Sequence, residues 1–381
     1  MNQLTPHGVQ RSFMKANRYQ CRIVKKCFFV FATISLLPLG VVYLVSTDQV
    51  YTKLKSYDYD NETQYPALTL EHGPKSMSAN EMEKLEARMQ KRVERVAEVC
   101  SKYGLDKRGN DSLHRPNSWE FLINKQHRLI WCNVFKAAST SWMYNFNLMA
   151  GYSPQFLKKS KEVPLVLARK KYKRPSESEL ISSLNDSVSF LIVRHPFERL
   201  LSAYRDKLQN ALPNSFHSKL GTTIILKYRK NKFSRVPRWP TFPEFVDYLI
   251  DTFHSHRELD MHWTPVTNFC TPCQVRFSVI AKFETLEEDQ RYLIEKANIG
   301  HIVSPQWKNS GKGSKKTVAL LEDFYNELSD KQVRELYRLF MYDFELFGYS
   351  IRDFYRNTTD KPSVPTTSVK SETTLRPHSS D

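Results

Sequence analysis

The chain has 381 residues, which bounds it to one large α/β domain with appendages. Its 57 Lys+Arg outnumber 40 Asp+Glu, for a formal charge of +17. That balance points to an anionic partner (nucleic acid, acidic lipid, acidic glycan or a phosphorylated cofactor) without choosing among them, the alternative being a basic but uninvolved surface.

Residues 1–26 carry Arg11, Lys15, Arg18, Arg22, Lys25 and Lys26 and no acid. Residues 27–46, from Cys27 to Ser46, then run without a charge. A helix of that length rises about 30 Å, the thickness of a bilayer's hydrocarbon core, and it tolerates Pro38 and Gly40 there. The run is long for a cleaved signal peptide, and no clean small-x-small cleavage site follows it. The positive-inside rule therefore predicts a type II signal-anchor: cytosolic tail 1–26, transmembrane helix 27–46, and everything after it lumenal. That topology removes nucleic acid as a partner. The sequons at Asn61, Asn110, Asn185 and Asn357 all fall on the lumenal side and are glycosylation candidates. So do Cys100, Cys132, Cys270 and Cys273, an even set that predicts disulfides with three connectivities open. Cys270-Thr-Pro-Cys273 has the spacing of a redox or zinc half-site, but no second CxxC completes a four-cysteine zinc site.

Residues 47–115 read as a stem. The part up to residue 77 is polar and aperiodic. Ser78-Ala-Asn-Glu81 is a capping box opening a helix over 79–100, with Met82, Leu85, Met89, Val93, Val96 and Val99 at steps of three and four. The stripe either pairs two stems as a short coiled coil, giving a homodimer, or leans on the domain.

The globular domain is expected over 116–350. A strand over 128–134 leads through a small-residue loop into a helix ending near residue 150. A second strand, 188–193, leads into a helix from Pro196, which suits a first helical turn. A third strand, 275–280, precedes an acidic helix from about Leu286. Strand, loop, helix, repeated, predicts a parallel sheet with flanking helices. A last helix runs over about 329–340. Residues 351–381 form a Ser/Thr/Pro-rich tail expected to be disordered.

The first chemical constellation is Phe135-Lys136-Ala137-Ala138-Ser139-Thr140-Ser141, where a strand hands over to a helix. Small residues let backbone N–H groups approach a phosphate or sulfate, and the helix N-terminus favours the anion. Three hydroxyls donate, and Lys136 can stabilise charge developing on a leaving group. The loop is not GxxxxGK[ST], which disfavours ordinary ATP or GTP hydrolysis. The second constellation begins at Arg194, also at a strand's end. Arg194 can clamp a phosphate in bidentate fashion, and Arg199 and Ser202 follow on the helix. Lys227, Arg229, Lys230 and Arg235, interleaved with aromatics, form a candidate acidic-glycan surface or a solvated basic loop. Lys308, Lys312, Lys315 and Lys316 form another basic loop.

These two motifs resemble the 5′-phosphosulfate loop and 3′-phosphate segment of the Golgi carbohydrate sulfotransferases. The resemblance is closest to the group holding the chondroitin and dermatan 4-O-sulfotransferases and the natural-killer-epitope sulfotransferase. His262-Trp-Thr-Pro, Cys270-Thr-Pro-Cys273, Lys282-Phe-Glu-Thr-Leu-Glu-Glu-Asp289 and Tyr342-Asp-Phe-Glu-Leu-Phe-Gly-Tyr349 extend it, in order, over about 120–350. Phe135 stands where the family has Pro, and His195 where it often has an acid. The resemblance implies the P-loop-like fold of sulfotransferases that use 3′-phosphoadenylyl sulfate (PAPS), with no metal. It implies sulfate transfer to a hydroxyl of GalNAc or a uronic-acid chain at the Golgi membrane. Lys136 would stabilise the leaving phosphate, residues 135–141 would hold the 5′-phosphosulfate, and Arg194 and Ser202 the 3′-phosphate. His262 is the candidate general base, with His195 second. An inactive, membrane-anchored polyanion-binding homologue and a protein-tyrosine sulfotransferase are the alternatives.

Overall fold

A computed structural model describes residues 77–231, 233, 237–304 and 320–351. The expected cytosolic tail, the anchor, the stem up to residue 76, Asn61, Arg235, the Lys308–Lys316 loop, Asn357 and the tail from residue 352 lie outside the described residues. Among the described residues no helix is long and apolar enough to cross a membrane.

In chain order come α1 (Ala79–Tyr103), β1 (Phe121–Asn124), β2 (Leu129–Cys132) and α2 (Ser139–Met149). Three short helices follow, α3 (Pro154–Lys159), α4 (Pro164–Lys171) and α5 (Glu177–Ser183), and lead to β3 (Val188–Val193). Then come α6 (Pro196–Tyr204), a π-turn over Arg205–Gln209, α7 (Phe216–Tyr228), α8 (Phe242–His254) and α9 (Val266–Cys270). The chain closes with β4 (Val279–Lys282), α10 (Leu286–Lys296), α11 (Leu321–Asn326) and α12 (Asp330–Phe347).

The sheet order is β1-β2-β3-β4. β1 is antiparallel to β2, while β2, β3 and β4 are parallel. Parallel neighbours need crossovers, and the helices between them supply these. The central strands are buried on both faces, as a helix-covered parallel sheet requires. Cys132 pairs with Leu191, and Val193 with Lys282. The loops beginning at residues 133 and 194 therefore leave the same edge of the sheet side by side.

Two apolar cores divide the domain. One wraps the sheet, where the fully buried Trp142 and Phe190 rings lie 4.6 Å apart. The other joins α6, α8 and α12 through residues such as Phe197, Phe245 and Phe344. Each such side chain contributes about 1.5–3 kcal/mol by leaving water.

The capping box at Ser78 and Glu81 starts α1 as expected, and Gly104, at φ 67°, stops it. Leu85, Met89, Val96 and Val99 are buried in the sheet core. That occupancy corrects the coiled-coil alternative: the stripe that would pair two stems is covered by this chain's own domain. Arg92 fixes the contact, donating to the Ile280 carbonyl at 2.8 Å and to fully buried Asp289 at 2.6 Å. Two disulfides, Cys100–Cys273 and Cys132–Cys270, settle the open connectivity. The two cysteines of the CxPC segment bond to different elements, so the segment is neither a redox pair nor a zinc half-site.

The third strand begins at Val279 rather than 275. Thr271, at φ 44°, turns the chain, and its carbonyl takes the Gln274 and Val275 N–H groups. Residues 272–274 form that turn, and residues 275–278 lead in without strand structure, with Val275 and Phe277 buried and Arg276 exposed. α12 runs on to Phe347, seven residues past its expected end, until Gly348 adopts φ 61°.

Candidate active site

The sheet edge that carries the 133 and 194 loops is where open α/β sheets bind ligands. In the first loop, Lys136 and Ala138 both take left-handed backbone conformations, at φ 67° and 59°. For non-glycine residues that conformation costs of order 1 kcal/mol or more each. It turns successive N–H groups inward as a nest for an anion. Ala138 is the N-cap of α2 and offers no side-chain cap, so the first-turn N–H groups and the helix dipole face the loop. Ser139 is half-buried, Thr140 exposed and Ser141 buried.

Lys136 Nζ sits 2.8 Å from Asp206 Oδ2, with 19% of its side chain exposed. Burial lowers the Lys136 pKa, and Asp206 partly opposes that fall. Burial pushes the Asp206 carboxyl upward, but Lys136 and Lys207 outweigh it and bring it down to about 2. Arg194 also lowers the Lys136 pKa through its charge, so the two cations share one electrostatic environment. Ser202 lies half-buried on α6.

Arg194 is 5% exposed, with Nε and Nη2 each 3.2 Å from Glu198 Oε2 and its guanidinium 4.4 Å from the Phe283 ring centre. Among the described residues its Nη1 makes no hydrogen bond, and that edge can meet a phosphate.

Arg199 differs from expectation. It is 2% exposed, and its guanidinium donates to the carbonyls of Phe135, His262 and Thr264. Burial brings its pKa down to about 10. It therefore braces the anion loop against the 262–264 segment instead of meeting a ligand.

His262 stands across from that loop, its ring centre 4.9 Å from that of Phe135. The Phe that replaces the family proline thus packs the loop onto the histidine. His262 Nδ1 is 2.6 Å from Asp260 Oδ1, and the other carboxylate oxygen is 3.2 Å from His217 Nε2. With Nδ1–H donating to Asp260, Nε2 becomes the basic nitrogen. Burial lowers the His262 pKa, Asp260 opposes that, and Lys207 adds to it. Burial raises Asp260, but its hydrogen bonds from His217 and His262 hold it far below the usual carboxylate range. The donor atoms of His217, Asp260 and His262 lie within 4.8 Å of one another, a spacing that can also hold a metal ion.

Asp343, 1% exposed, holds this segment from α12, accepting from the Val266 and Thr267 N–H groups at 2.7 and 2.8 Å.

His195 is held against the C-terminal segment: its Nε2 donates to the Ser350 carbonyl at 3.0 Å, and its ring packs against Phe344 and Tyr349. Arg229 is removed from substrate contact. It is 8% exposed and bonded to Glu244 at 2.9 Å and to the carbonyls of Pro237 and Trp239. Lys227 pairs with Asp251 at 2.9 Å, and Lys230 is exposed. The sequence reading missed Asp206, His217 and Asp260. Asp260 was legible only as Asp-x-His within Asp260-Met-His262, and His217 lies on α7, which the sequence pattern does not mark out.

Residues 119–350 match the sulfotransferase family. The chain is 32% identical over 283 residues to carbohydrate sulfotransferase 11 of Mus musculus, covering 70% of this chain and 77% of that one. It is 31% identical over 287 residues to carbohydrate sulfotransferase 10 of Pongo abelii, with the same coverage. It is 29% identical over 268 residues to carbohydrate sulfotransferase 8 of Mus musculus, covering 68% and 63%. No solved structure matches. With an anion nest and a clamped arginine at adjacent strand ends, and this similarity over most of its length, the chain belongs to the sulfotransferase family, among the carbohydrate sulfotransferases, and is a sulfotransferase enzyme.

Proposed function

We propose that the chain sulfates a glycan hydroxyl, on GalNAc or a uronic-acid-containing chain such as chondroitin or dermatan, with PAPS as donor. The observation that carries this reading is the pairing of Lys136 and Arg194 at neighbouring strand ends with His262 facing the same loop. The residues fit the donor: an uncapped helix N-terminus with two left-handed residues suits a phosphosulfate, and a nearly buried arginine suits a second phosphate. PAPS supplies the sulfuryl group.

The chain's own residues do the rest. Lys136 and the first-turn N–H groups of α2 stabilise negative charge at the 5′ position, with the hydroxyls of Ser139, Thr140 and Ser141. Arg194 and Ser202 take the 3′-phosphate. His262 Nε2 removes the proton of the acceptor hydroxyl, while Asp260 holds the ring by Nδ1–H and stabilises the charged form.

The relatives named carbohydrate sulfotransferases support a sugar acceptor over tyrosine. A Golgi-lumenal, type II placement through residues 27–46 is part of the proposal. Two disulfides suit an oxidising compartment, and Asn110 and Asn185 are exposed as glycosylation requires. The test is transfer of labelled sulfate from PAPS to desulfated chondroitin, dermatan and terminal GalNAc acceptors, with disaccharide analysis of products. No transfer to any glycan by the folded chain sinks the reading.

A further inference from the structure

A second basic feature begins beside the β3 end of the nucleotide crevice and runs from there along α1. A cavity of about 590 Å³ opens between α1, the end of β4 and the end of α12. Its cations are Lys84, Arg88, Lys91, Arg92 and Arg95 from α1 and Lys282 from β4. β4 is the edge strand of the sheet, two strands from β2, whose end carries Lys136, and next to β3, where Val193 pairs with Lys282 just before Arg194; the α1 lysines extend the groove beyond that strand end.

The cations do different work. Arg88 and Arg92 are held by Asp289, which fastens α1 down. Arg95 donates to the Glu345 carbonyl at 2.9 Å and packs on Gly348, where an added Cβ would meet its Nε at 3.0 Å. Gly348 thus lets the guanidinium lie flat at the groove's end. Lys84 and Lys91 are exposed, and among the described residues neither they, Arg95 nor Lys282 has a carboxylate within ion-pair distance. Lys282 instead lies 4.4 Å from the Tyr349 ring centre, and its pKa is lowered by burial and by the nearby charges of Arg92 and Arg95. Such crowding of like charge is stabilised by an anion.

Lys84, Arg88, Lys91 and Arg95 follow at steps of four, three and four, which puts them on one helix face in a row about 16 Å long. A row of that length matches charges repeated along an extended chain better than one phosphate. A concave site with an apolar floor, provided by Leu346 and Phe347, also suits a sugar chain better than a flat membrane.

We propose that this groove is an exosite for an anionic glycan chain, binding sulfate or carboxylate groups of the acceptor at a distance from the reacting sugar. The inference rests on the glycan-acceptor reading above. The test uses the full chain and its Lys84→Glu/Lys91→Glu variant, with Lys84→Ala/Lys91→Ala as the gentler pair. Three probes are titrated: a chondroitin sulfate hexasaccharide, adenosine 3′,5′-bisphosphate and phosphatidylserine vesicles. The hexasaccharide Kd rises about tenfold or more in the Glu pair and less in the Ala pair, with steeper weakening at low salt. Nucleotide affinity and transfer to a small neutral acceptor stay at wild-type level. A hexasaccharide Kd within twofold of wild type in both variants overturns the exosite. So does an equal loss of nucleotide affinity, or loss of vesicle binding with hexasaccharide binding kept. If the lysines govern hexasaccharide binding in a chain that transfers no sulfate, the exosite stands and the enzymatic reading alone falls.

Discussion

Lys136 and Asp206 join the loop after β2 to the π-turn after α6 through a contact of 2.8 Å. Asp206 is ionised well below neutral pH because Lys136 and Lys207 hold its pKa at about 2 against the effect of burial. It raises the Lys136 pKa in return, opposing burial, which lowers it. In the role proposed for Lys136 the charged form is the working one, so activity is expected to be lost as pH rises through its pKa. Asp206→Asn removes the opposing influence, and the alkaline limb of the kcat profile moves to lower pH. A limb that stays in place shows that Asp206 does not tune this lysine.

Lys136→Ala removes the cation from the nest while leaving the backbone N–H groups. Loss of one such stabilising group costs about 10²–10³ in kcat. The variant keeps its melting temperature, since the ammonium is only part of a partly exposed pair. Labelled-sulfate transfer and a thermal melt, run side by side, check both halves.

Asp260 bridges His217 and His262. In the proposed role His262 acts as a base when neutral, so the acid limb of activity is expected to follow its pKa, which burial sets below the ordinary histidine value. Asp260 raises that pKa. Asp260→Asn therefore shifts the acid limb to still lower pH while kcat falls, because the ring loses its orienting acceptor. His262→Ala lowers kcat by about 10²–10⁴ at every pH. The two are told apart by the full pH profile. An Asp260→Asn limb at higher pH contradicts the assigned roles.

Much of this site was legible in the chain, because its loops announce themselves by type. A small-residue run after an apolar strand and an arginine before a proline-led helix both predicted what the sheet edge carries. The parallel sheet followed from repeated strand-loop-helix order. β1 was not read: Phe121–Asn124 is a four-residue edge strand with no alternation, ordered only by pairing with β2. α8 carried a signal that went unread, a capping box at Thr241 and Glu244 with a proline inside the first turn. Arg199 and Arg229 show the limit of charge-based reading. A guanidinium on a basic stretch looks like a ligand contact until its carbonyl partners are known, more than sixty residues away in sequence for Arg199 and eight and ten away for Arg229.

Cys132–Cys270 ties the end of β2, three residues before Phe135, to the end of α9. Both cysteines are fully buried, and the bridge spans 138 positions of sequence. Closing a loop of that size constrains the unfolded chain strongly, and loss of such a bridge costs about 2–5 kcal/mol. Cys132→Ser lowers the melting temperature, with transfer lost in proportion to unfolding and not ahead of it. Non-reducing peptide mapping identifies both pairs. Recovery of a Cys270–Cys273 peptide contradicts the assignment.

Met89 is 1% exposed in the core between α1 and the sheet, and α1 is further fixed by Arg92 on Asp289 and by Cys100–Cys273. A helix held this way belongs to the domain, so its apolar stripe stabilises the fold. Met89→Ala costs about 2–5 kcal/mol, from lost burial and the cavity left behind. For a domain of this size the melting temperature drops by roughly 2–4 °C per kcal/mol. If the stripe joined two chains instead, the substitution would split a dimer and leave the monomer's melting point alone. Light scattering and melting of the same sample separate these cases: the mass stays constant and the transition falls.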